Sequence, residues 1–198
     1  VCPYAHRARL ALAVKGIDFE LTEIDLSNKP QRFLDVSPYG KVPALTHAGV
    51  TIYESNIINQ YLDDVYPGPS MMPSDPLVKA RVRIWLDYMD NKFLDIYYDA
   101  IGNQDRAKDD EFRTKIEDGF RFMENDGMAV LSGDGPYWLG AEISLLDLAY
   151  YPFFERLPAW THYRGIDIPD DCPRLQKWRT AMAEHPAVTE IANSPEYY

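Results

Sequence analysis

The stretch "PGPSMMPSDP" (67–76) constrains this chain most, because four prolines and a glycine within ten residues exclude any helix or strand running through it. The two flanks must therefore form their own elements before they can pack together. Their patterns differ. Ahead of the break, helical and strand-like periods alternate. Behind it nearly everything carries the 3.6-residue period of helices, in long runs at 77–101 and 105–131 and shorter ones at 145–155 and 173–183. The predicted organisation is a mixed α/β unit over 1–66, a linker over 67–76 and a helix bundle over 77–198.

Composition then removes whole classes of function. With 46% hydrophobic and 13% aromatic residues in 198, the chain can fill a core and is expected to be a soluble folded protein. A formal charge of −11 would repel a polyanion, so nucleic acid is not expected as a partner. No apolar run approaches the roughly 18 residues that span a bilayer, so no membrane association is expected. Cys2 and Cys172 stand far apart, without a CxxC pair or a histidine cluster at metal-ligand spacing. Neither a disulfide framework nor a metal site is predicted, and two lone cysteines fit a reducing, cytoplasmic setting.

Within the first unit, residues 3–14 predict a helix with an apolar face that ends at Gly16. "IDFELTEIDL" (17–26) alternates as a half-buried strand does. "FLDV" predicts a short helix, and "VPALTHAGVTIYE" two strands turning at Ala48-Gly49. Pro43 is the odd residue there, calling for a bulge, an edge or a cis bond. "SNIINQYLDDVY" reads as a helix with Ser55 as N-cap. In the second unit, Ser144 and Asp147 have capping-box spacing, a folding signal to which no chemistry is assigned.

Cys2 is the residue on which function turns. At a helix start with Pro3 in the first position, it faces unpaired N–H groups and the positive end of the helix dipole, which favour a thiolate. A small buried hydrophobe is the competing reading, and position alone leaves both open. His6, one turn on, is a conceivable base but more often a solvated or packing residue. Cys172 also precedes a proline-started helix, yet Asp170 and Asp171 oppose a thiolate, so it is expected to be inert.

"CPYAHRARLALAVKGI", "NKP", "GKVPAL", "YES", "YPGPSMMPSDP" and "ISLLDL" occur in the order seen in cytosolic glutathione transferases, and the chain resembles that family. The tail "PRLQKWRTAMAEHPAV" is similar to the family's closing helices, so the resemblance covers most of the chain. It implies a thioredoxin-like N-terminal domain and an all-helical C-terminal domain. The family's first strand precedes the cysteine motif, so the chain is expected to be an N-terminally incomplete form of that fold. The Cys-Pro-Tyr-Ala start resembles the omega-like, cysteine-type subgroup.

The resemblance implies that Cys2 forms a mixed disulfide with glutathione, the co-substrate. It also implies that Glu54 and Ser55 hold the γ-glutamyl group, Val42 and Pro43 pair with the cysteinyl backbone, and Lys29 meets the glycyl carboxylate. Ala5 stands where a dithiol motif would have its second cysteine, so the second thiol must come from glutathione. The implied activity is thiol transfer or reduction: of mixed disulfides, of dehydroascorbate, or of glutathionyl adducts. The second substrate would be small and hydrophobic or disulfide-containing, bound between the halves, and a homodimer is expected. The alternative is a non-catalytic interaction protein of the stringent-starvation regulator type, against which Cys2 beside Glu54 and Ser55 speaks.

Overall fold

Proline and glycine set the limits of the first helix in the computed structural model, which describes residues 2–192. Helix α1 spans Pro3–Lys15, and Gly16 ends it in the left-handed region at φ 61°. There the Gly16 and Ile17 amides donate back to the Ala13 and Leu12 carbonyls, so the last turn is closed without a side chain. The expected polar face of α1 is buried as well: His6 and Arg7 are 1% and 0% exposed.

After a short helix α2 (Gln31–Leu34), strands β1 (Ala44–His47) and β2 (Val50–Tyr53) form an antiparallel hairpin with Leu45 opposite Ile52. Ala48 and Gly49, both at positive φ, make its two-residue turn. The Val42-Pro43 bond is cis, and Pro43 lies just ahead of β1, not inside it. The strand expected at 17–26 is not formed. The described residues supply no hydrogen-bonding neighbour for it, and Phe19, Leu21 and Leu26 are exposed instead of alternating inward.

Helix α3 spans Ser55–Val65, and the cap differs from expectation: Ser55 is the first helical residue, while Glu54 holds the N-cap position. The 67–75 stretch contains no helix or strand. It is tied to α3 by the Asp63 carboxylate, which accepts from the Met71 and Met72 amides at 2.9 and 3.0 Å and pairs with Lys15 at 2.8 Å.

The second half is helical, as its periodicity predicts. Pro76 belongs to helix α4 (Pro76–Tyr88), at a first turn capped by Asp75. A π-helical turn at Met89–Phe93 carries α4 into α5 (Leu94–Gly102). Helix α6 (Asp109–Phe122) runs through a second such turn into α7 (Ala129–Leu131).

Helix α8 (Leu145–Phe154) is buried along all ten residues and packs against α1, α3, α4 and α10 (Pro173–Glu184). The Ser144–Asp147 capping box forms, and Asp147 also accepts from Trp138 N and Trp178 Nε1. Burial pushes this carboxyl above its ordinary range, against four donated hydrogen bonds that favour the charge. Helices α9 (Leu157–Arg164) and α11 (Pro186–Ile191) complete the bundle, each too short for its period to show in the sequence.

Candidate functional site

Cys2 caps α1 with extended backbone (φ −78°, ψ 123°) and Pro3 follows inside the first turn. No side chain caps this helix start, and the half-buried thiol points at the Val42 carbonyl, 4.0 Å away. The helix end and the loop before Pro43 thus face each other across one sulfur.

The loop is internally braced. Buried Ser37 donates its hydroxyl to the Lys41 carbonyl at 2.9 Å and accepts from the Lys41 amide at 3.1 Å. Gly40 turns the chain at φ 58°, and the exposed Lys29 ammonium lies 3.8 Å from where a β-carbon at Gly40 would be. A side chain there would be strained by the positive φ, with its β-carbon in ordinary contact with Lys29 and Leu34. Lys29 therefore borders the loop that ends at Val42.

The third piece is the start of α3. Glu54 is exposed and sits at φ 68°, ψ 115°, a left-handed conformation that costs a non-glycine residue about 1–3 kcal/mol. Its carbonyl still begins the helix by accepting from the Ile58 amide at 2.9 Å. Ser55 is buried, and its Oγ accepts from Arg7 at 3.3 Å. Because Arg7 occupies a lone pair of that oxygen, the Ser55 proton is left to donate elsewhere.

Arg7 is the residue whose reach sequence reasoning missed. Fully buried, it donates through Nε to the Ala149 carbonyl of α8 at 2.8 Å and pairs with Asp90 at 2.9 Å. Its guanidinium lies 5.1 Å from the ring centres of both Tyr4 and Phe153. Asp90 in turn accepts from Asn56 in the first turn of α3 at 2.8 Å, and Asn59 donates to the Arg7 carbonyl at 3.2 Å. One guanidinium thus fixes α1, α3, α8 and the α4–α5 junction against one another. The available signal was only an ion-pairing arginine in a helix. Its partner lies in a π-helical turn that no sequence period reveals.

The structure separates two other candidates from the thiol. His6 faces Glu155 at 3.1 Å, so its contact is with the end of α8 and its expected packing role fits. Cys172 is buried at the start of α10, its sulfur 3.9 Å from Asp171 Oδ1. Burial first, then Asp171 and Glu124, push its thiol up to about 11. Of the aromatics Tyr88, Phe93, Tyr97 and Tyr98 along the first helices of the second half, Phe93 and Tyr97 are core. Tyr88 packs with Trp85 and Phe122, and Tyr98 alone of the four is exposed, at 43%.

Comparison with known proteins agrees with this layout. Residues 1–65 match the glutathione S-transferase N-terminal domain and residues 105–181 the glutathione S-transferase C-terminal domain. The chain is 32% identical over 195 residues to glutathione S-transferase omega-1 of Sus scrofa, covering 98% of this chain and 78% of that protein. A tau-class glutathione S-transferase from mango, Mangifera indica, superposes with a TM-score of 0.91 at 31% identity, covering 99% of this chain and 90% of that one. A rice glutathione S-transferase solved in complex with glutathione superposes at 0.83 with 28% identity, over 99% of this chain and 88% of that one.

Proposed function

The chain belongs to the glutathione S-transferase family, and we propose that within it Cys2 is the nucleophile of a glutathione-dependent thiol transferase or reductase. The observation that carries this reading is the Cys2 sulfur, seated on an uncapped helix start and directed at the Val42 carbonyl. A hydroxyl-type transferase activates glutathione's thiol by donating a hydrogen bond to it. A cysteine in that place instead forms a bond to it.

Glutathione is held by groups at both ends and its middle. The Glu54 carboxylate takes the γ-glutamyl ammonium, and the Ser55 hydroxyl with the N-terminus of the 11-residue α3 donates to the adjacent carboxylate. The Val42 backbone pairs with the cysteinyl unit as an added strand would, with cis Pro43 ending that contact. Lys29 meets the glycyl carboxylate. These local donors outweigh a net charge of −11, because salt screens charges beyond about 8–10 Å.

In the reaction the Cys2 thiolate attacks the glutathionyl sulfur of the substrate, forming Cys2–S–SG and expelling the substrate's remaining part with the bonding electrons. A second glutathione thiolate then attacks that disulfide, releasing glutathione disulfide and restoring Cys2. Substrates of this reaction are mixed disulfides and glutathionyl adducts of ketones or quinones; dehydroascorbate fits the same thiol cycle.

A homodimer suits the outer face of α4 and α6. A groove of about 470 Å³ there is lined by Trp85, Tyr88 and Phe122 and by Ile84 and Val130, which are 64% and 53% exposed. Arg81 and Lys92 on its rim are matched by Asp87 and Asp126, a set that a two-fold axis can pair with itself. Sedimentation of wild type and Ile84→Asp tests this, with a dimer expected from the first only.

The decisive experiment is intact mass after incubation with glutathione disulfide. One glutathionyl adduct is expected on wild type and on Cys172→Ala, and none on Cys2→Ala. Absence of adduct and of glutathione binding in wild type would replace the enzyme by the interaction-protein reading.

A further inference from the structure

The end of α10 and the start of α11 meet in His185, which takes no part in the thiol cycle. Its backbone is extended (φ −67°, ψ 133°) and its amide donates to the Met182 carbonyl at 3.2 Å, closing α10. Its half-buried ring then caps α11, with imidazole Nδ1 accepting from the Ala187 amide at 3.2 Å. An accepting nitrogen carries no proton, so this ring is neutral and its hydrogen sits on Nε2. The first turn of α11 depends on that lone pair. Pro186 has no N–H, and the Val188 and Thr189 amides donate to the His185 carbonyl at 2.9 and 3.0 Å. The Ala187 amide, in a buried residue, is left to Nδ1, and a proton there would set donor against donor. At six residues α11 cannot hold itself; it rests on this cap, on burial of Ala187 and Val188, and on packing against α1 and α10.

Charges around the ring pull both ways. Burial lowers the imidazole from its ordinary value near 6.5, against Glu142, which raises it, and against the C-terminus of α10, which also favours a cation there. Tyr137 sets its ring across the imidazole at 6.1 Å, and exposed Glu184 and Glu190 come from α10 and α11. The charged side chains of α1 are Arg9 and three with partners elsewhere: His6 with Glu155, Arg7 with Asp90 and Lys15 with Asp63.

We propose that His185 is a pH-sensitive catch for the helix that carries Cys2: neutral, it caps α11 and keeps it packed on α1; protonated, it frees the start of α11 and loosens α1 with it. This does not depend on which reaction Cys2 performs. The closed form binds the proton more weakly than the released one, so the catch is fully engaged above about pH 6.5 and is lost as pH falls through the lower value of the closed form. The thiol helix is thereby governed from the last described helix of the chain.

The test is amide hydrogen exchange of the full chain between about pH 5 and 8, each rate divided by the intrinsic rate at that pH. Residues 186–192 should lose protection about tenfold from the upper to the lower end, as loss of an N-cap does, and residues 3–15 should follow over the same range while α8 keeps its protection. His185→Asn supplies a cap that does not titrate, and should make both segments independent of pH. Glu142→Gln should move the transition to lower pH, because Glu142 favours the charged ring. A pH-independent wild type, equal losses in α8, or a transition that survives in His185→Asn, as one from His6 would, overturns the proposal. A loss confined to α11 overturns it too, since α1 would then be held without the catch.

Discussion

Two helices in this chain begin with the same dipeptide, Cys-Pro, and their surroundings make opposite use of it. At α1 and at α10 alike, a cysteine holds the N-cap, a proline follows in the first turn and no hydrogen bond from the cysteine side chain caps the helix. At α10 the positive end is already taken: buried Glu124 accepts from the Arg174 and Leu175 amides at 3.2 and 2.9 Å, and Asp171 lies against the sulfur. At α1 no acidic residue occupies the first turn, and the half-buried sulfur is directed at the Val42 carbonyl. A helix dipole favours one anion at its start. At α10 that place is filled by carboxylates, and burial, with Asp171 and Glu124 beside it, holds the Cys172 thiol neutral; at α1 the helix start carries no such acid and remains for a ligand such as glutathione.

The sharpest way to break this contrast is to exchange the fates of the two sulfurs. Cys2→Ser should cost about 1,000-fold or more in thiol-transfer turnover, as loss of a covalent nucleophile does, while Cys172→Ala keeps it. Comparable losses in the two variants would remove the distinction. Next in size is Arg7→Met, which strands Asp90 and withdraws donors from Ser55 and Ala149. A loss on the order of 3 kcal/mol in urea unfolding is expected, along with a raised KM for glutathione. Arg7→Lys should recover part of the stability, since it restores the charge without the forked geometry.

The third prediction concerns pH. The Cys172 thiol is raised to about 11 in the folded chain, so the folded state binds its proton more tightly than the unfolded one. Its contribution is complete below the ordinary thiol range near 8.5 and is lost as pH rises toward the folded value. The stability difference between wild type and Cys172→Ala, measured by urea unfolding under reducing conditions, should be flat below about pH 8 and shrink above it. A difference that grew with pH would mean the thiol is not held neutral. The smallest effect is expected from Lys29→Ala: an exposed charge contributes up to about 1 kcal/mol, so KM for glutathione should rise by no more than about fivefold.

What could be read in advance follows from how local each signal is. The ends of α1, the hairpin turn at Ala48-Gly49 and the Ser144–Asp147 box are written in neighbouring residues, and each stands where the pattern puts it. The segment 17–26 has a strand's alternation but no neighbour among the described residues, and a ladder is a property of pairs. Ser55 has the chemistry of an N-cap, yet the chain assigns that place to Glu54 at positive φ, and the Ser55 hydroxyl accepts from Arg7 of another element. Cys2, Val42 and Ser55 were legible as residue types in a familiar order. The guanidinium that joins them to the second half was not, since its partners lie 48 to 142 residues away in sequence.

That guanidinium also determines what a fragment can be. Residues 1–66 cut at the proline-rich break would keep Cys2, Lys29, Val42, Glu54 and Ser55 but lose Asp90 and the Ala149 carbonyl, leaving Arg7 with most of its partners gone. The break is thus a place where the chain can be divided on paper but not in solution, and a split-protein experiment should recover glutathione binding only when both pieces are mixed. Modularity in this chain is a property of its sequence; the binding site is indivisible.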